Sequence, residues 1–550
     1  FKQKTAYEIM PSLVGSEMCI RDRGERSITS YPLGVTGNEN TIEGIASDNY
    51  HFGDDVNGVK IAVIGGLSGT QDCQEVYQEG LTVLFTLPDD ISFIASDLTS
   101  SSSPVRDQTF PPESGFFFDK DSVESRYVWR WITMESPDLI IELRHGENTN
   151  VIQSENYTER EKNSLLGEIS LGLGPTPGPI PSVQITGTTG TVKDLILKTI
   201  DNVRGNSPSH SPARIELNQR SSRSPLETAE ILGDRYGYKL DEPVNYVQGV
   251  AISGRLRLHS LTDSTPNPSK QIASFVNFLT TDEGFERNNK SGPNLAGICW
   301  APELAELTGE NIWNELLLNA ANTYETVDRG VSPSPCHPDF GCEDMFFISA
   351  VCGRAFKLTE DSRFIRKFVD FLLESGIQQE NGLMWHCRSA PFFWGRGNGF
   401  AALAYSEALT YIPNNHPDRI TLANTHTRHL KGLSDLQLPN GMWTQLLDFP
   451  GTYQELSATC MIGYALARGI RKGWLDDSFR DTVEKAWNAT NRRISNDGDL
   501  VDVCTGTGFQ SNRSDYLYRA AEYGYDDRGG SMAIWFAIEM EKLHQALPLI

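Results

Sequence analysis

The 550-residue chain contains no uninterrupted apolar run of about 18 residues, which leaves nothing in it that reads as a membrane-spanning helix. Its nine cysteines include no Cys-x-x-Cys pair, and their odd number over so long a chain excludes a disulfide framework. Cys336 and Cys342 flank His337 and Asp339, but structural zinc sites use tighter paired spacing, so neither a metal nor a cofactor is expected. Basic residues are in short supply: 48 Lys and Arg face 72 Asp and Glu, for a net charge of −24 and a pI near 4.9. That balance argues against nucleic acid or an anionic membrane as partner, and an anionic substrate would need a local basic pocket. No repeat of fixed period is visible, which weighs against a simple solenoid.

What is present suffices for sizeable cores: 39% hydrophobic and 10% aromatic residues, over a length that suggests two domains. Residues 1–23 include a segment, Met10 to Arg23, that resembles a translated sequencing adapter; they are expected to be non-native and are set aside. Any leader preceding the natural start is therefore unread, and localisation stays open between cytoplasm and periplasm. Residues 24–203 read as mixed α/β. Val59–Gly66, Leu81–Thr86, Ile91–Ala95 and Pro137–Leu143 have strand character, and Glu124–Met134 has helical character. Residues 204–224, rich in Ser, Pro, Asn and Arg, are expected to be a linker.

From residue 225 to 550 the texture is helical. Ile312, Leu316, Ala320 and Tyr324 recur at helical spacing; so do Phe364, Phe368 and Phe371, after an Asp361 cap and before Gly376. About a dozen helices fit stacked hairpins, in either an open solenoid or a closed α/α toroid. The chemistry-bearing clusters lie where loops enter helices. Glu343-Asp344 precedes a very apolar helix start and fits an N-cap. Trp394-Gly-Arg396-Gly-Asn398-Gly-Phe400 lacks the strand and the Lys-Ser/Thr of a phosphate loop, while a glycine-flanked guanidinium suits close approach of a carboxylate. Gly441-Met-Trp443, Tyr453-Gln-Glu455-Leu-Ser-Ala-Thr459, Gly506-Thr-Gly508 and Asp526-Asp527-Arg-Gly-Gly530 follow.

In order and approximate spacing, the segments around Glu343-Asp344, Trp394–Phe400, Tyr453–Thr459 and Gly506–Gly508 resemble glycoside hydrolase families 88 and 105, the unsaturated glucuronyl and rhamnogalacturonyl hydrolases. The resemblance spans about 225–547. It implies an (α/α)6 six-hairpin barrel that removes a 4,5-unsaturated uronate from the non-reducing end of lyase-generated oligosaccharides by hydrating the vinyl ether. It makes Asp344 the acid and base and His386 a second catalytic residue. It makes Arg396 the partner of the substrate carboxylate and Trp394 a stacking wall. The remaining candidates for substrate contact are Asn294, His337, Asn398, Phe400, Trp443 and Glu455. The families carry a second aspartate near the segment Asn288 to Trp300; here stand Asn288, Asn289 and Asn294, and the family's tryptophan at the end of the glycine motif is Phe400. Two alternatives remain on the same fold: a non-catalytic carbohydrate-binding protein, and a sugar epimerase, which would ordinarily use paired histidines.

The first half resembles, more weakly, the zinc carboxypeptidase superfamily, through Val63-Ile-Gly65-Gly66, Phe110-Pro-Pro, Glu124–Trp131 and Pro137–Gly146. Ser68 and Gln71 stand at about the positions of two metal ligands and only His145 remains, which implies a domain without catalytic zinc.

Overall fold

The computed structural model describes residues 27–53, 58–65, 71–98, 110, 123–153, 164–172, 176–205, 210–262, 264–288 and 290–548. The expected non-native segment 1–23, the turn residues Gly66, Ser68 and Gly69, and Asn289 lie outside them. The chain divides into two compact units: residues up to Gln219 with Pro450–Tyr453, and Arg220–Phe449 with Gln454–Ile550.

In the first unit the described residues form a seven-stranded sheet. Its strands are β1 (Ile28–Val35), β2 (Thr41–Ser47), β3 (Val59–Gly65), β4 (Ile91–Asp97), β5 (Leu139–His145), β6 (Asn150–Gln153) and β7 (Ser182–Gly187), in the order β1-β2-β4-β3-β5-β7-β6. The β4-β3-β5-β7 run is parallel and the outer pairings are antiparallel. β3 is buried at every position, apolar except for Lys60, as a central strand of a parallel run should be. Gly65, at its end, lets the Tyr77 ring approach; a Cβ there would lie 2.4 Å from that ring.

Leu81–Thr86, expected as a strand, belongs instead mostly to the helix Gln71–Leu84. Cys73, Val76, Tyr77, Gly80, Leu81 and Leu84 are its buried face, spaced by three and four residues, so the helical period overrides the short apolar run at its end. The expected linker 204–224 is largely ordered as well: Val192–Gly205 is helical into its start, and Pro212–Ser221 is a further helix. His145, at the end of β5, sits 3.9 Å from the Asp72 carboxylate, and Gln71 bonds Glu75, so among the described residues no three-ligand group forms around His145.

The second unit begins at a capping box, in which Ser224 and Glu227 satisfy each other's backbone amides ahead of the helix Pro225–Arg235. Five long helices, Tyr246–Leu261, Asp527–Ala546, Leu456–Arg471, Gly395–Tyr411 and Cys342–Thr359, pack in that order, each on the next. The short helices Gly292–Ala296 and Ala301–Thr308 complete the circuit back to Tyr246–Leu261. These inner helices are buried nearly all round; residues 395–409 are buried without exception. A second layer, including Ile312–Thr323, Ser362–Glu374, Arg419–Ser434 and Arg480–Arg492, backs them with one apolar face each. Where strand character was not expected, β8 (Leu500–Cys504) and β9 (Ala521–Gly524) form a small antiparallel pair. Among the described residues no helix is long and apolar enough to cross a membrane.

The inner helices carry a buried ion network. Glu407 accepts from Arg354 at 2.6 Å and from Arg468 at 2.8 Å, while Arg468 and Arg471 both grip Glu539. Burial opposes these charges, but the surrounding guanidinium groups outweigh it and hold Glu407 down at about 2.

Candidate active site

The helix Cys342–Thr359 starts at Gly341, where no side chain caps the free amides, so the acidic pair behind it is not an N-cap. Asp344 is buried instead. Its Oδ2 accepts the backbone N–H of His337 at 2.8 Å, and Gly292 and Gly341 flank its carboxyl group closely. Burial pushes its pKa up, the hydrogen bond from His337 pulls it down, and the neighbouring Glu343 raises it again; the outcome is about 7, against 3.8 for a free aspartate. Asp344 thus keeps its proton to far higher pH than a free aspartate.

Glu343, one residue earlier, turns to His386. Its Oε1 lies 2.9 Å from His386 Nε2, and His386 Nδ1 lies 2.5 Å from the Tyr516 hydroxyl. The imidazole is fully buried, clasped by the rings of Trp394, Phe509 and Tyr516. The carbonyl of His386 also accepts from Cys342 N–H at 3.0 Å, which ties this loop to the helix start.

Both Glu343 and Asp344 line a cavity of about 740 Å³. Tyr246, Phe347, Trp394, Phe400 and Phe509 supply its aromatic wall, and Lys239, Arg396 and Arg528 its cations. Of the residues anticipated for substrate, His337, Asp344, Trp394, Arg396 and Phe400 meet on this one cavity. His386 stands behind its wall and reaches it through Glu343. Arg396 gives two guanidinium nitrogens to the carbonyls of Cys504 and Thr505, at 2.5 and 2.6 Å, so backbone hydrogen bonds fix it as part of the wall.

Four anticipated contacts do not line the cavity, each because its polar atoms are already used. Asn398 bonds the backbone N–H and C=O of Met384, the carbonyl of Trp394 and the ring of His429. Trp443 is fully buried and donates its indole N–H to the Leu433 carbonyl. Glu455 caps the helix Leu456–Arg471 and accepts from Ser457, Ala458 and Cys504. Asn294 donates to the Asn288 carbonyl, and Asn288 accepts from Val244 N–H at 2.6 Å, so this region staples backbone and offers no second acid. The three glycines of the Arg396 motif serve packing: a Cβ at Gly395 would come within 2.3 Å of the Thr444 carbonyl, and one at Gly399 within 2.9 Å of Met461.

Sequence reasoning named neither Tyr246, Tyr516, Phe509 nor Arg528 as a site residue. Phe509 adjoins the glycines of Gly506–Gly508 and Arg528 lies in the acidic motif, which were usable signals; Tyr246 and Tyr516 carry none. Arg528 pairs with Asp526, which also caps the final helix through the amides of Arg528 and Gly529. A separate group, His337, Asp339 and Cys387, brings three possible metal-binding atoms within 4.8 Å of one another.

Residues 358–544 match the Glycosyl Hydrolase Family 88 pattern, a range that holds His386 and Trp394–Phe400 and starts after Asp344. The chain is 35% identical over 111 residues to the unsaturated 3S-rhamnoglycuronyl hydrolase of Alteromonas sp. (strain LOR), covering 20% of this chain and 27% of that protein. It is 33% identical over 124 residues to the unsaturated rhamnogalacturonyl hydrolase YesR of Bacillus subtilis (strain 168), covering 22% of this chain and 34% of that one. The matches thus span about a third or less of these relatives' length. A family 105 glycoside hydrolase of C. acetobutylicum ATCC 824 shares the fold, with a TM-score of 0.50 at 18% identity over 57% of this chain and 99% of that one.

Proposed function

With its C-terminal part tied to the family 88 and 105 glycoside hydrolases, we propose that the chain removes 4,5-unsaturated uronic acid from the non-reducing end of lyase-generated oligosaccharides. The observation that carries this reading is Asp344, a buried carboxyl group on an aromatic cavity with a pKa of about 7. Hydration of a vinyl ether needs a proton at C4 and a water oxygen at C5. Asp344 in its acid form delivers the proton; as a carboxylate it then takes one from the attacking water, which ends the step with the carboxyl group reprotonated. The hemiketal formed at C5 opens and releases the aglycone. One group in both roles has no need of the carboxylate pair used for direct glycosidic displacement.

The Trp394 and Phe509 rings suit the faces of a sugar. Arg396, Arg528 and Lys239 supply the basic lining that an anionic ligand needs on a chain of net charge −24. The helical circuit we read as an (α/α)6 toroid. The first unit, a mixed sheet with a central parallel run, we read as a carboxypeptidase-like scaffold without catalytic zinc. The test is incubation with unsaturated disaccharides from chondroitin, heparin and rhamnogalacturonan lyases. Loss of the ultraviolet absorbance of the conjugated double bond supports the reading. Absorbance that persists on all three, while a control hydrolase clears them, overturns it.

A further inference from the structure

Arg396, cast by the family resemblance as the partner of the substrate carboxylate, has little of its guanidinium left to give. Its Nη1 and Nη2 donate to the carbonyls of Cys504 and Thr505, and the residue is 2% exposed. Arg528, on the same cavity, is disposed differently. It presents Nε and Nη2 to Asp526, which occupies one side of the planar fork. Its Nη1 makes no hydrogen bond among the described residues, and the side chain is 27% exposed. Asp526 does not use up the donors of a guanidinium, so the end-on edge formed by Nη1 and Nη2 remains, with the two parallel N–H groups that a carboxylate accepts.

That edge has room and charge. Gly506 lines the same cavity, and a Cβ built on it would meet Nη1 alone among the described residues, at 3.6 Å. Asp526 aims the guanidinium and is itself compensated elsewhere: it caps the helix Asp527–Ala546 through the amides of Arg528 and Gly529, where the helix dipole favours negative charge. Arg528 therefore keeps positive charge for a ligand. The third cation of the lining, Lys239, lies 3.5 Å from Asp527, and a single ammonium offers no fork.

We propose that Arg528, rather than Arg396, takes the carboxylate of the unsaturated uronate on its Nη1–Nη2 edge, and so sets the requirement for a free acid on that sugar. The inference rests on reading the cavity as a uronate site. Asp526 holds the guanidinium in place for this contact.

The test compares each unsaturated disaccharide with the methyl ester of its unsaturated uronate, on the parent, Arg528→Gln and Arg528→Lys. Affinity is measured by calorimetry, with the melting temperature as a check on folding. The parent is expected to prefer the acid to the ester by about 10- to 100-fold, the range for hydrogen bonds to a charged group. In Arg528→Gln that preference should collapse to within about threefold, chiefly through weaker binding of the acid. A distorted cavity weakens acid and ester alike, so it does not produce this pattern. Arg528→Lys keeps a charge for Asp526 but loses the fork, and should give up about tenfold of the preference; it decides the matter if Arg528→Gln does not fold. A parent that binds acid and ester equally, or a folded variant that keeps the full preference, overturns the assignment. A parent that prefers the acid through Arg528 but turns nothing over overturns only the hydrolase reading. A parent that binds none of the disaccharides overturns both.

Discussion

Asp344 Oδ2 accepts the backbone N–H of His337 at 2.8 Å, and this bond opposes the burial that raises the Asp344 pKa. The hydrogen bond favours the carboxylate, burial favours the acid, and the balance lies near 7. A proton donor is thereby available at neutral pH from a residue that in free solution would be ionised.

Turnover should therefore fall as pH rises above about 7, approaching tenfold per pH unit, because the acid form of Asp344 is titrated away. A pH–rate profile on any accepted disaccharide checks this. An activity flat from neutrality to pH 9 contradicts the role of Asp344 as acid.

Asp344→Asn removes the proposed proton donor and should lower turnover by about 10²- to 10⁴-fold. The same substitution should stabilise the fold in alkaline solution. The folded pKa is raised, so between about 3.8 and 7 the folded state holds more protons than the unfolded one, and the contribution of Asp344 to stability is lost as pH rises through 7. At pH 8 we expect the Asp344→Asn variant to melt higher than the parent, by about 2 kcal/mol or more in unfolding free energy. Equal melting at pH 5 and pH 8 in both proteins would rule this out.

Gly292→Ala brings a Cβ to within 2.8 Å of Asp344 Oδ1, with the Phe347 ring next at 3.3 Å. The carboxyl group is the part free to give way. We expect about a 10- to 100-fold loss of kcat from a displacement on the ångström scale, with the melting temperature nearly unchanged.

Trp443→Phe tests a reassigned residue. Loss of the indole N–H removes one hydrogen bond to the Leu433 carbonyl, which keeps Leu436 N–H as a partner, at about 0.5–1.5 kcal/mol. Urea unfolding should register the loss while KM stays at the parental value; a large rise in KM would return Trp443 to the substrate site.

Glu407→Leu strands Arg354 and part of the hydrogen bonding of Arg468 inside the inner helices. Removing one partner of a buried ion network costs about 3–5 kcal/mol, which denaturant unfolding would detect. The buried His426 and His429, held down at about 3 by desolvation, add an acid sensitivity. Below the ordinary histidine range the unfolded state binds protons that the folded state refuses, so stability should decline progressively as pH falls from about 6.5 towards 3.

The helical half was legible because its signals are local. The spacing of Phe364, Phe368 and Phe371, the Asp361 cap and the texture change at 225 all reappear as elements. Local signals failed where two periods compete over a few residues, as at Leu81–Thr86, and where strands form only as a pair, as in β8 and β9.

Which motif residues reach the cavity was not legible. Asn398 and Arg396 lie on one turn of one helix. Only Arg396 lines the cavity, and even its guanidinium is anchored on carbonyls from residues 504 and 505. By itself the sequence determined the helical class, the acidic pair at a helix start and the aromatic, glycine-rich loops, since periodicity and composition act between near neighbours. Tertiary structure alone decided that Asp344 is buried with a raised pKa while Glu343, beside it, turns to a histidine 43 residues away. Desolvation and hydrogen bonding depend on what surrounds a group in space, and for these two carboxyl groups the surroundings come from distant parts of the chain.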